Sequence, residues 1–117
     1  MVSSYGAKFD RKVTKLRGLF PASKPIKIKT YQVLKINGDK CSGCSSDCGD
    51  YWLIQIERSM SWDLLIDTLI HEFAHIIDLE RHGWPANETC HSCLHRDSWG
   101  ETYAEIYRRY TEEDFDQ

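Results

Sequence analysis

At 117 residues, with 41% hydrophobic and 28% charged side chains, the chain is long enough for one modest core and too apolar for general disorder. No apolar run approaches the roughly 18 residues of a membrane span, and MVSSYGAKFDRKV lacks the apolar centre of a secretory signal, so a cytoplasmic protein with no membrane partner is expected. The net charge of −3 hides an asymmetry: ten Lys and Arg fall in residues 1–40 against Asp10 and Asp39, leaving +8 there and −11 in the remainder. A basic third on an acidic body can associate weakly with nucleic acid. The preferred reading is structural, a solvated helix face and a lysine-guarded edge strand.

Residues 4–17 read as an amphipathic helix. Phe9, Val13 and Leu16 recur at helical spacing, Lys8, Arg11, Lys12 and Lys15 lie off that stripe, and Gly18 is positioned to end it. LFPASKP is a loop held open by Pro21 and Pro25, so residues 1–25 form a basic helix and loop. IKIKTYQVLKI then alternates, with Ile26, Ile28, Leu34 and Ile36 on one side and Lys27, Lys29 and Lys35 on the other, as in a half-buried strand. NGD at 37–39 signals a turn, a cysteine-rich insert follows, and YWLIQIE at 51–57 reads as a second strand. The two strands are expected to pair as a hairpin with an elaborated tip. Residues 51–57 are expected at the sheet edge, where an extended substrate could dock by strand addition.

Residues 61–81 form the clearest helix, with Trp62, Leu65, Leu69, Phe73 and Ile76 as its core-facing stripe. Residues 82–97 are a loop broken by Gly83 and Pro85. A last helix is expected to begin at the cap Ser98, with Glu101 at capping-box spacing and Trp99, Tyr103, Ile106 and Tyr110 as its stripe. The acidic tail TEEDFDQ is expected to fray. This order gives an α+β fold, one domain over residues 1–117, with a small sheet or hairpin beside the two later helices.

The chemistry concentrates in HEFAH at 71–75. On a helix, His71 and His75 project from one face with Cβ atoms about 5–6 Å apart, close enough to share a zinc ion at about 2.0–2.1 Å per nitrogen. Glu72 lies beside such a metal and can take a proton from a zinc-activated water and pass it to a leaving amine. The pattern arises by chance in roughly one such chain in a hundred, but here it falls within a strongly amphipathic helix. His71 and His75 share a face with Leu64, Thr68 and Asp78, away from the Phe73 and Ile76 stripe. Core histidines would more naturally replace members of that stripe.

A catalytic zinc takes three protein ligands and keeps an open position. The extended zincin signature, with Gly three and His six residues after the second histidine, is missing: Asp78 and Arg81 stand there. Candidates for the third ligand are His82, His91, His95, Glu101 and Glu105. His82 follows the helix too closely to reach back across two turns. His95 precedes the last helix by three residues and is preferred, with His91 its nearest rival and Glu105 a carboxylate alternative. Asp67 and Asp78 could each accept a ring N–H and fix a tautomer, or be ordinary solvated carboxylates. Tyr103 and Tyr107 could donate to a developing oxyanion, although packing or a surface role is the preferred reading.

HEFAH, a turn-rich loop and then HRDSWGETYAEIY together resemble the SprT-like zincins of the Spartan and SprT type. They are closer still to small metallopeptidases encoded by bacteriophages. In that family a third histidine shortly precedes an aromatic residue at the opening of the next helix, as His95 precedes Trp99. The resemblance covers residues 51–110 well and 1–50 in outline; it departs at Arg96, where the family usually carries glycine, and in the cysteines of the loops. It implies a zincin fold and hydrolysis of peptide bonds in a protein or peptide substrate, in the host cytoplasm if the chain is phage-encoded. It also hints at a protease associated with DNA.

CSGCSSDC at 41–48 and CHSC at 90–93 form a second constellation. Cys41 with Cys44, and Cys90 with Cys93, make two C-x-x-C knuckles that suit a second, structural zinc tying the loops together. Cys48 is the odd one out, either a substitute ligand or a free thiol. Disulfides compete, but they need an oxidising compartment that nothing else in the chain indicates. The expectation is thus a zinc metallopeptidase with His71, His75 and His95 on the catalytic zinc and Glu72 as base and acid. The alternative is a non-catalytic zinc module, in which a Glu such as Glu101 or Glu105 closes the site as fourth ligand.

Overall fold

The structure is a computed structural model that describes residues 4–83 and 97–115, with side chains over 6–83 and 97–112. Helix α1 spans Ser4–Leu19, followed by strands β1 (Ile26–Tyr31), β2 (Lys35–Ile36), β3 (Asp39–Lys40), β4 (Gly43–Asp47) and β5 (Trp52–Glu57). Helices α2 (Trp62–His82) and α3 (Asp97–Phe115) complete an α+β arrangement with a small mixed sheet. Among the described residues, no helix is long and apolar enough to cross a membrane.

The α1 stripe of Phe9, Val13 and Leu16 is buried as its periodicity predicts. Gly18 does not stop the helix: it avoids the left-handed conformation, and the Phe20 N–H still bonds the Leu16 carbonyl at 2.9 Å. Pro21 ends the run instead, since it has no N–H to offer. The long strand expected over 26–36 is broken. Only β1 joins the main sheet, whereas β2 pairs with β3 in a separate two-residue ladder. Asn37 and Gly38, with φ of 54° and 89°, form the turn between them, both central residues taking the positive φ that a tight hairpin requires.

Two expectations about the sheet are corrected. Strands β1 and β5 run parallel, Ile26 opposite Trp52 and Tyr31 opposite Glu57, so they are not the two arms of a hairpin. The antiparallel partner of β5 is β4, the cysteine-rich stretch itself, and the order β1-β5-β4 makes β5 the central strand. Residues 51–57 therefore have no free edge for strand addition; β1 and β4 are the edges. Trp52, Ile54 and Ile56 alternate onto the buried face of the sheet, which packs on α2.

Helix α2 has a defined start and stop. The Ser61 hydroxyl accepts from the Leu64 N–H at 3.4 Å, and Gly83, at φ 74°, donates its N–H to the Leu79 carbonyl at 2.8 Å. Between them the helix is buried on nearly every side. Glu72, His75 and Asp78 are only 4%, 1% and 1% exposed, which corrects the view that the histidine face lies off the core. That face is covered because β4 packs on one side of it and α3 on the other.

Helix α3 starts at Asp97, so Ser98 stands in its first turn rather than ahead of it, and the helix continues to Phe115 through most of the tail expected to fray. Ile106 and Tyr110 are buried, and Trp99 and Tyr103 pack half-buried against the same core. The core cluster joins α1, β1, β5, α2 and α3 in one apolar interior. Leu69 is fully buried within it while Leu64, on the same helix, is 58% exposed. Leu69→Ala should cost about 2–5 kcal/mol in chemical denaturation, and Leu64→Ala under about 0.5 kcal/mol. Equal losses would contradict the helix orientation.

Candidate active site

One turn of α2 brings the two imidazoles of HEFAH together: the ring centroids of His71 and His75 lie 5.0 Å apart, with ring planes at 70°. Trp99, from the first turn of α3, stacks on His75 at 5.2 Å and meets His71 edge-on at 4.9 Å. Tyr103 continues the stack, 5.2 Å from Trp99, and its hydroxyl donates to Asp67 Oδ1 one turn before His71. Burial, and then that carboxylate, push the Tyr103 hydroxyl well above its ordinary pKa, so it remains a donor.

The opposite wall is β4. Gly43 and Ser45 alternate toward α2, and both are small. A Cβ on Gly43 would stand 2.8 Å from Thr68 Cγ2, 3.1 Å from Glu72 Cγ and 3.2 Å from Glu72 Oε2, so only glycine permits this approach of strand to helix. The Glu72 carboxyl lies in that gap, and its Oε1 has no hydrogen-bond partner among the described residues. Burial pushes its pKa from 4.5 to about 7; the Ser45 hydroxyl pulls the other way from just outside good hydrogen-bond geometry.

A cavity of about 290 Å³ opens between Cys41 to Gly43 on one wall and Asp67, Thr68, His71 and Glu72 on the other. A slightly larger one, about 330 Å³, lies against α1, β1 and Leu65 and includes no residue of HEFAH. Of these two, only the first has residues of HEFAH among its described lining.

The structure thus unites His71, Glu72 and His75. His95, the preferred third ligand, lies outside the described residues, as do His91, Cys90 and Cys93. Among the described residues no three His, Cys, Asp or Glu side chains gather closely enough to hold a metal. Glu105 does not serve: Arg81 binds its carboxylate through two nitrogens, at 2.8 and 3.2 Å, and holds its pKa below the usual range. Glu101 and His82 are exposed. Asp67 is engaged by Tyr103, and Asp78 is buried within α2.

Cys41 stands in the cavity wall, where burial pushes its thiol up; its Sγ donates to the Gly43 carbonyl at 2.8 Å. Cys44 lies in β4 opposite Gln55, in extended chain rather than in the tight loop expected of a knuckle. Cys41, Cys44 and Cys48 are free thiols. Several residues of the basic third rest on aromatic faces: Lys8 over Trp62 at 4.4 Å, Lys15 over Tyr110 at 4.8 Å and Lys27 over Tyr51 at 4.2 Å. Lys24 pairs with Asp47.

Sequence reasoning missed Gly43 and Ser45 as neighbours of Glu72. Their signal was the alternation of small residues within GCSSD, masked there by the cysteines. Trp99 was read as packing, and its place over both imidazoles was visible only in its distance from His95. Compared with known protein families, curated proteins and solved structures, the chain matches none.

Two outcomes test this geometry. Gly43→Ala should cost about 1–3 kcal/mol in denaturant unfolding, because strand or helix must shift; a neutral result would mean the wall is not close-packed. In metal-free protein, Glu72 binds its proton more tightly folded than unfolded, so its contribution to folding stability is greatest below pH 4.5 and falls until about pH 7. Glu72→Gln should remove that fall and stabilise the metal-free chain at pH 8 by up to about 3 kcal/mol. Parallel stability–pH curves for the two proteins would refute the buried, neutral carboxyl.

Proposed function

We propose that this protein is a zinc-dependent peptidase of zincin type, with His71 and His75 as metal ligands and Glu72 as general base and acid. The observation that carries the reading is the junction of three features: a pair of imidazoles, a buried carboxyl with an unpartnered oxygen next to them in the helix, and an open cavity with His71 and Glu72 in its wall. Two nitrogen donors from one helix face suit zinc. At about 2.0–2.1 Å from metal to nitrogen, ring centroids sit about 3.2 Å from the ion, which puts tetrahedral ligands about 5.2 Å apart. The observed 5.0 Å fits that spacing.

Bound zinc would act as a Lewis acid on the scissile carbonyl and on the attacking water. Glu72 would take the water's proton and return it to the leaving amine. Trp99 covers His75 and limits solvent on that side. The third ligand in this proposal is His95, two residues ahead of α3 in the sequence; the resemblance to SprT-like zincins supports it. The edge strand β4, rather than the central β5, is the side on which an extended substrate backbone can add. The pairing of Glu105 with Arg81 supports an open site over one closed by a fourth ligand from α3.

Metal analysis beside peptidase assays tests the reading. The catalytic site should hold one zinc in the wild type and in Glu72→Gln, with activity at least about 10²-fold lower in the variant. His75→Ala and His95→Ala should each lose that zinc. Equal activity in wild type and Glu72→Gln would remove Glu72 from the mechanism, and full zinc retention in His75→Ala would remove the metal site.

A further inference from the structure

We propose that the cavity between β4 and α2 is a side-chain pocket that selects lysine or arginine beside the peptide bond cleaved, with Asp67 as its anion. The inference rests on the peptidase reading above and adds the substrate class to it. Among the described residues, the pocket walls contribute two carboxyl groups, Asp67 and Glu72, and no lysine or arginine. The Asp67 carboxylate is held through Oδ1 by the Tyr103 hydroxyl. A carboxylate accepts through both oxygens, so Oδ2 is left to meet a cationic donor, and no lysine or arginine among the described residues pairs with Asp67.

A second observation shows that the cavity is built to receive something. Glu72, nearly all buried, forms part of its wall, and Glu72 Oε1 finds no hydrogen-bond partner among the described residues. Size restricts the occupant: about 290 Å³ lies at the low end for ligand sites and suits one long side chain. The walls leave that length free because Ser42, Gly43 and Thr68 are small. A substrate strand lying on the β4 edge sends alternate side chains toward α2, which directs one of them into this opening. Asp67 is exposed to solvent, so the preference should weaken as salt is added.

The experiment uses the zinc-loaded full-length chain and peptide sets that differ only in one residue flanking the cleaved bond: Arg, Lys, Gln or Glu. The kcat/KM ratio of Arg over Gln should be about tenfold at low salt, with Glu the poorest. Asp67→Asn should bring the ratio close to one, and Asp67→Lys should favour Glu. Tyr103→Phe removes the hydrogen bond but leaves the charge, so it should keep the ratio within about twofold. In the Glu72→Gln background, which barely turns over, Kd values for labelled peptides should follow the same order. Cleavage without a basic preference, an unchanged ratio in Asp67→Asn, or an equal loss in Tyr103→Phe would overturn the pocket and leave the peptidase standing. Failure to cleave any peptide in the set would sink both.

Discussion

The Glu72 carboxyl is held out of water in a gap that only a glycine strand can line. Carboxyl groups rarely occupy the centre of a small core, because the charged form loses its hydration there. Burial raises the pKa of this one to about 7, and its position decides much of the remaining architecture. Strand β4 has to approach α2 closely enough to cover it, so Gly43 and Ser45 face the helix. Helix α2 has to be covered on both flanks, so β4 and α3 both pack on it and Glu72, His75 and Asp78 are as buried as Leu65 and Leu79. A carboxyl with a pKa of about 7 populates both protonation states near neutral pH and can accept and release a proton there, which a solvated glutamate would do far less readily.

Local periodicity made the helices legible. The stripes of α1 and α2 and the break at Gly83 follow from side-chain spacing and backbone preference, and the folded chain keeps them. Partners were harder to read. An alternating pattern such as that of residues 26–31 or 52–57 says that a strand has one buried face, but not which strand lies beside it. A parallel β1–β5 pair with β4 on the far side is therefore invisible in the pattern of either strand. GCSSD was hidden for a different reason: small polar residues have weak strand propensity, and its place in the sheet comes from packing on α2.

The histidine face was misjudged because a hydrophobic stripe marks only where apolar residues gather. A helix at the centre of a fold has further faces, and these are closed here by an aromatic ring over imidazole and by a glycine strand over carboxyl. Neither contact produces a periodic apolar signal. The proximity of His71 and His75 was legible because their spacing follows from the helix. What the spacing could not give was the environment that sets the Glu72 proton affinity.

The two later helices are tied where the chemistry requires precision. Asp67 and Arg81 stand about 21 Å apart along α2 at helical rise, yet their partners Tyr103 and Glu105 are only two positions apart on α3. Such a spread needs α3 to cross α2 rather than run alongside it, with long side chains reaching out in both directions. Trp99 adds a third attachment at the imidazoles themselves. Together the three contacts resist both sliding and rotation of α3, and they fix its first turn over His71 and His75. In the proposed peptidase, a ligand from the sequence just ahead of that turn would join two imidazoles already held 5.0 Å apart. The cost of assembling the metal site would then fall on a short connecting segment rather than on the docking of two whole helices.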